Sequence, residues 1–246
     1  MTTKMTKKIV TMSGSWSVSA TTTAKKDQWE LARFYLSDFD FMTCNMRGHN
    51  GITRPDGLSL KDYEEDLVDF LKVTGPSHLM AHSMGGVVAQ AVTNRVPGLV
   101  KSLVLIASAP PGVKTIAGTK INYRFLRPSY IRAFCSGEAY SLKPADQVFL
   151  RGNSCTDIAL GPESGLASRE ILFRKYPVRP INTCPVLVIA SGRDQLLSMQ
   201  SQRDMCCYHG GDFVNIRDAQ HMVHCDQENC SELFSEINRW LRSFKS

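Results

Sequence analysis

The sequence predicts an α/β protein built on a mostly parallel, doubly wound sheet of about six strands, and three observations lead there. Short runs rich in β-branched and aromatic residues alternate with amphipathic helical patterns along the 246 residues, which is the order that builds strand–helix–strand units. A hydrophobic content of 43% supplies one full core without requiring a second domain. The final helical pattern is apolar along a single stripe, as befits a helix docked on a sheet.

Strands are expected at residues 8–12, 39–45, 78–82, 102–108, 185–190 and 212–217. Unbroken apolar runs such as VLVIA suit strands covered on both faces. Ser59 can cap a helix over residues 60–73, whose Tyr63, Leu67, Phe70 and Leu71 share one face. Gly85 and Gly86 open a helical run after the third strand, and Leu233, Phe234, Ile237, Trp240, Leu241 and Phe244 stripe the last helix. Residues 111–183 separate the fourth and fifth strands by far more than a crossover needs. They are expected to form an inserted helical cap on a core made of residues 1–110 and 184–246. Tyr123, Phe125, Tyr130 and Phe134 alternate there with Arg124, Arg127 and Arg132, a composition that fits a lid over a substrate pocket. The other arrangement open to them packs the aromatics inside the cap and leaves the arginines in water.

The net charge of +6 is spread along the chain without a basic stripe, which argues against a nucleic-acid partner. No stretch approaches the roughly 20 apolar residues of a membrane span, and the basic amino-terminal residues precede no signal-peptide core. A cytoplasmic protein without a membrane partner is expected, acting on a small molecule. The eight cysteines read as reduced thiols, because a chain of this size needs no disulfide staples. The oligomeric state is left open.

Chemistry concentrates in residues 78–92, HLMAHSMGGVVAQAV. Ser83 lies between a strand-like run and a helix-like run, flanked by Ala81 and Gly85. A sharp strand-to-helix turn needs such small neighbours. A serine hydroxyl attacks only when a base removes its proton and a third group orients that base. Asp194 in SGRDQLL and His221 in DAQHMVHCD each follow a strand-like run, the end at which open α/β sheets form their sites. Asp218 is a second candidate acid and His224 a second histidine. His82 and Trp16 are further candidates for contact with substrate, with Tyr123, Arg124, Phe125 and Arg127 of the cap. His221, His224, Cys225 and Cys230 match no common zinc spacing, and a metal there would take the base from Ser83. No metal or organic cofactor is expected.

These pieces resemble the α/β-hydrolase superfamily over nearly the whole chain. AHSMGG is similar to its nucleophile elbow although Ala81 stands for the usual glycine, SGRDQLL to its acid loop, AQHMVHCDQ to its histidine loop, and NMRGHNGITRP (45–55) to its loop after the second parallel strand. The resemblance implies Ser83 as nucleophile, His221 as base and Asp194 as its orienting acid. It places the oxyanion hole on the backbone amides of Met84 and Ser15. Ser13 stands where the family usually has histidine, ahead of the retained Gly14. The implied activity is hydrolysis of an ester, thioester or lactone of a small to medium, partly apolar substrate. Cofactor-free lyase, C–C bond hydrolase or dioxygenase chemistry on a His–Asp dyad, or a non-enzymatic receptor role, are the alternatives that the same fold carries.

Overall fold

Side chains alternate faces along a strand, so a strand buried on both sides must be apolar at nearly every position. The computed structural model describes residues 7–12, 28–49, 53–118, 126–151 and 160–244. Its main sheet holds β1 (Lys8–Met12), β2 (Asp40–Cys44), β3 (Ser77–His82), β4 (Val100–Ile106), β7 (Val186–Ser191) and β8 (Asp212–Ile216), with a separate short pair, β5 (Ala139–Tyr140) and β6 (Glu163–Ser164). The six strands are all parallel in the order β2-β1-β3-β4-β7-β8. Each of the six expected strands is present, the first with the expected bounds and no end of the others displaced by more than two residues.

The alternation divides the core into two layers. Leu79, Ala81, Leu103, Leu105, Val186 and Val188 pack with helices α2 (Leu60–Thr74), α3 (Met84–Arg95) and α7 (Met199–His209). Ile9, Met80, Val104, Ile106, Leu187 and Ile189 face the other way, toward α1 (Glu30–Tyr35) and α8 (Cys230–Ser243). Leu233, Phe234, Ile237 and Leu241 of α8 are fully buried there, each contributing about 1.5–3 kcal/mol of burial free energy. Helix α2 starts at a reciprocal cap: Ser59 Oγ accepts from the Asp62 amide, and the Asp62 carboxylate accepts from the Ser59 amide at 2.8 Å. From β1 the chain steps outward to β2 and then returns past β1 to β3. The reversal opens a crevice at the carboxyl ends of β1 and β3.

Between β4 and β7 lie α4 (Pro128–Ser136), β5, α5 (Pro144–Arg151), β6 and α6 (Gly165–Leu172). The insertion is therefore not purely helical, as β5 and β6 pair antiparallel within it. The aromatic side chains of α4 and β5 turn inward, whereas Phe173 is exposed. Tyr130, Ala133, Tyr140, Leu142 and Leu150 form a buried cluster with Phe134 against it, and Tyr130 donates to the buried Asp146 carboxylate at 2.7 Å. No helix of the described residues is long and apolar enough to cross a membrane.

Polar contacts pin the insertion to the loop after β2. Arg54 donates to the Ala139 carbonyl at 3.0 Å, the Ala139 amide to Asp56 at 2.7 Å, and the Leu60 amide to Glu170 at 2.8 Å. The most buried of these ties is His49 to Glu163. His49 Nε2 donates to the Glu163 carboxylate at 3.2 Å and Nδ1 to the Arg47 carbonyl at 3.2 Å. Both partners are acceptors, so both ring nitrogens carry hydrogen and the ring is an imidazolium. Burial pulls its pKa down, but the charge and hydrogen bond of Glu163, with the Arg47 carbonyl, outweigh burial and hold it above the ordinary histidine value. A raised folded-state pKa stabilises fully below the unfolded value, and the contribution is lost as pH rises through the folded one. His49→Leu leaves the Glu163 carboxylate buried without its cation and is expected to cost about 3–5 kcal/mol near pH 6. Denaturant unfolding at pH 6 and pH 9 checks this: the gap between wild type and variant narrows at pH 9, whereas a pH-independent gap would mean that His49 is neutral when folded.

Candidate active site

Ser83 occupies the turn from β3 into α3 with φ 52° and ψ −123°, a conformation that side chains with a Cβ rarely adopt. The turn is held on both sides. The Ser83 amide donates to the Ile106 carbonyl at 3.1 Å, and its own carbonyl accepts from Gly86 at 3.0 Å and Ala109 at 2.9 Å. Gly86 allows the close approach of β4: a Cβ there would lie 2.5 Å from that of Ser108. Met84 follows as the first residue of α3, in the first helical turn, where amides have no intrahelical acceptor.

Two loops at the carboxyl ends of β7 and β8 bring the partners. His221 Nδ1 lies 2.7 Å from Asp194 Oδ2, and His221 Nε2 lies 2.8 Å from Ser83 Oγ. The carboxylate can only accept, so Nδ1 carries the hydrogen and Nε2 is free to accept from the serine hydroxyl. Asp194 Oδ1 accepts from the Leu196 and Leu197 amides at 2.7 and 3.0 Å. One oxygen thus anchors the acid's own loop while the other orients the imidazole. Ser83 is 8% exposed, His221 3% and Asp194 4%. The relay is shielded from water except at the serine, which strengthens its charge interactions. A hydroxyl, an unprotonated imidazole nitrogen and a carboxylate in series can generate an alkoxide-like nucleophile and hold the resulting imidazolium.

The other candidates part company from this group. Asp218 is a surface residue, paired with Arg193 at 2.6 Å with both side chains more than half exposed. His224 is buried, its Nε2 bonded to Gln28 Oε1 at 2.9 Å. His82 is only 3% exposed; it lies behind His221 and donates Nε2–H to the His221 carbonyl at 2.9 Å. Two-residue alternation along β3 carried that signal, since His82 shares the face of Met80 and not that of Ala81. Arg127 faces Asp146 at 3.3 Å, so its charge is answered within the insertion. Arg132 is exposed. Ser15, Trp16, Tyr123, Arg124 and Phe125 lie outside the described residues. The insertion reaches the site through Leu160, which packs on the Met222–Cys225 cluster beside His221 and also on the Tyr130–Tyr140 cluster, against which Leu196 of the acid loop packs as well. Among the described residues, no three His, Cys, Asp or Glu side chains gather as a metal site would require.

Residues 9–228 match the family model described as "Alpha/beta hydrolase family", and the chain belongs to that family. No curated protein sequence matches it. Solved structures share the fold at low identity. An esterase from Thermogutta terrifontis is 21% identical with a TM-score of 0.67, the match covering 97% of this chain and 91% of the other. The enol-lactonase of Burkholderia xenovorans LB400 is 17% identical with a TM-score of 0.73, covering 96% and 92%. A monoacylglycerol lipase from Paleococcus ferrophilus is 15% identical with a TM-score of 0.68, covering 97% and 96%.

The elbow's backbone yields its own test. Backbone strain of this kind costs about 1–3 kcal/mol, and glycine relieves it at the expense of a more flexible unfolded chain. Ser83→Gly is therefore expected to be more stable than Ser83→Ala by about 1 kcal/mol. Thermal unfolding of both variants checks it, and equal melting temperatures would remove strain from the account of this turn.

Proposed function

We propose that this protein is a serine-dependent α/β hydrolase acting on an ester, thioester or lactone of a small to medium, partly apolar substrate. The observation that carries the reading is the unbroken series Asp194–His221–Ser83, with Ser83 at a strained strand-to-helix turn. Ser83 Oγ attacks the substrate carbonyl while His221 Nε2 takes its proton. Asp194 holds the ring and stabilises the imidazolium. Negative charge on the tetrahedral oxygen is met by the Met84 amide, with the Ser15 amide as second donor by family resemblance. The imidazolium then protonates the leaving group. Water, activated by the same ring, attacks the acyl-serine and regenerates the enzyme. The esterase, enol-lactonase and lipase of the same fold lend this chemistry support.

Residues 111–183 are read as the cap over the pocket, because their apolar cluster touches the acid and histidine loops through Leu196, Leu160 and Met222. The aromatic side chains of α4 fill the cap interior, so a partly apolar substrate must be met by other residues of the crevice. The cysteine content, read as reduced thiols, supports a cytoplasmic location.

Covalency at Ser83 tests the reading. With an activated ester or lactone, rapid quenching and intact-mass analysis are expected to show one acyl group on Ser83 and a burst of leaving group. Asp194→Asn is expected to fold and to lose roughly 10⁴-fold in kcat, since the amide favours the wrong imidazole tautomer. Asp218→Asn is expected to stay within about twofold, as a surface substitution. Turnover that survives Ser83→Ala but not His221→Ala would replace the nucleophile with a His–Asp base dyad.

A further inference from the structure

The relay leaves two buried histidines without a role. His82 and His224 lie in line behind His221: the His82 ring centroid is 4.8 Å from that of His221 and 4.2 Å from that of His224, and His224 in turn stands 4.6 Å from Trp29. Three aromatic rings of one type in file, closed by an indole, are a poor choice for simple filling of space. Each imidazole brings two polar atoms that must be reconciled with burial.

The hydrogen-bond pattern says what His82 does with its polar atoms. Its Nε2 faces a carbonyl oxygen, which can only accept, so Nε2 carries the hydrogen and Nδ1 is bare. That Nδ1 is buried and has no hydrogen-bond partner among the described residues. The ring is therefore held as one neutral tautomer with a single bond, and that bond goes to the backbone of the residue that would act as base. Burial, reinforced by the neighbouring His224 and His221, drives the His82 pKa well below the ordinary value. His224 is likewise pulled down to about 3 by burial and by His221. Two rings that stay uncharged add no positive field against the imidazolium that His221 must become.

Fixing the His221 carbonyl has a definite mechanical effect. The carbonyl oxygen reports the rotation of the peptide plane that follows His221, and so it sets the direction in which the Cα–Cβ bond leaves the loop. Asp194 then sets the rotation of the ring about its own bonds, and the tilted His82 ring, 54° from its plane, backs it. His82 thus constrains the backbone and one side of the ring, and Asp194 the ring rotation. Only the second of these constraints belongs to the relay itself.

We propose that His82 is a positioning residue, whose Nε2–H bond to the His221 carbonyl and ring contact hold the base over Ser83. This inference rests on the reading of His221 as a base. His82 touches neither Ser83 Oγ nor a substrate. Its loss should leave substrate binding alone and slow the step in which the proton moves, because a misplacement of about 1 Å in a reacting group can cost 10²-fold.

Three variants separate the donor from the ring. His82→Gln sets an amide nitrogen near the level of Nε2 and keeps the donor. His82→Asn keeps polarity but stops at the level of Nδ1. His82→Phe keeps an aromatic ring and loses the donor. All are compared with wild type for kcat and KM on an activated ester, and by proton NMR for the low-field signal of the His221 Nδ1–H bonded to Asp194. The expected result is a fall in kcat of about 10- to 100-fold in His82→Asn and His82→Phe, with KM within twofold, the low-field signal broadened or shifted, and both properties largely restored in His82→Gln. If His82→Phe does not fold, His82→Asn carries the same comparison. Folded His82→Asn or His82→Phe protein with wild-type kcat and an unchanged signal would overturn the proposal, as would a rise in KM alone or an equal loss in all three. The NMR signal does not depend on serine chemistry. Should Ser83→Ala retain turnover while His82→Phe loses the signal, the nucleophile reading fails and the positioning role of His82 stands.

Discussion

The backbone at the end of β3 is the constraint on which the rest depends. Ser83 sits at φ 52°, and Ala107, at the end of the adjacent β4, sits at φ 39°. Two residues with a Cβ in the left-handed region, on neighbouring strands, are costly unless their surroundings leave no alternative. The surroundings do so through backbone bonds that cross between the two turns: Ser83 donates to Ile106, Ala109 donates to Ser83, and Ala107 donates to Ile189 of the next strand. Relaxing either turn would break bonds in both. The strain is thus spread over three strands of the central sheet, where the two helix layers already fix the strand positions.

Beneath the elbow a buried polar chain extends this over-determination. The Ile181 amide donates to His209 Nδ1 at 3.1 Å, and His209 Nε2 then donates to Gln90 Oε1 at 2.9 Å. Gln90 Nε2 reaches the Gly86 carbonyl at 3.1 Å and the Ser108 hydroxyl at 3.3 Å. Each donor and acceptor in this chain has one consistent assignment. His209 serves as acceptor at one nitrogen and donor at the other, so it must be neutral, and burial holds its pKa down near 4. The chain joins α7, α3 and both turns by directional bonds, where apolar contact alone would allow sliding.

The central strands and the relay were legible in the sequence because each rests on local pattern. VLVIA must be covered on both faces, and AHSMGG, SGRDQLL and AQHMVHCDQ each stand just past such a run. Other features depend on partners far away along the chain. Glu163 reads as one more acidic residue of the insertion, yet it is fully buried against His49, 114 positions earlier. The β5–β6 pair contributes two residues per strand, too few for any periodicity to register. Helix α1 is six residues long, about half the length at which a helical pattern separates from a buried strand. His82 lay in between. Its face could be counted along β3, but the carbonyl it bonds comes from another loop.

The charge distribution around the relay follows from the same burial. Among the described residues the Asp194 carboxylate faces the His221 imidazole at 2.7 Å, and the competing acid Asp218 is turned outward onto Arg193. In a site of low polarity an added carboxylate would compete for the imidazolium, and an added cation would oppose its formation, each with more force than in water. Among the described residues, the file of rings behind His221 is polar without net charge: two imidazoles, with Gln28 and Trp29 beyond them. Imidazole suits that place because it can donate to a backbone carbonyl and still pack against neighbouring rings. A lysine or arginine could make the same bond only by bringing a charge with it. Apolar residues would avoid the charge but leave the His221 carbonyl buried without a donor, which carries its own desolvation cost. A neutral aromatic donor meets both demands at once, and it does so from the strand that ends one residue before Ser83.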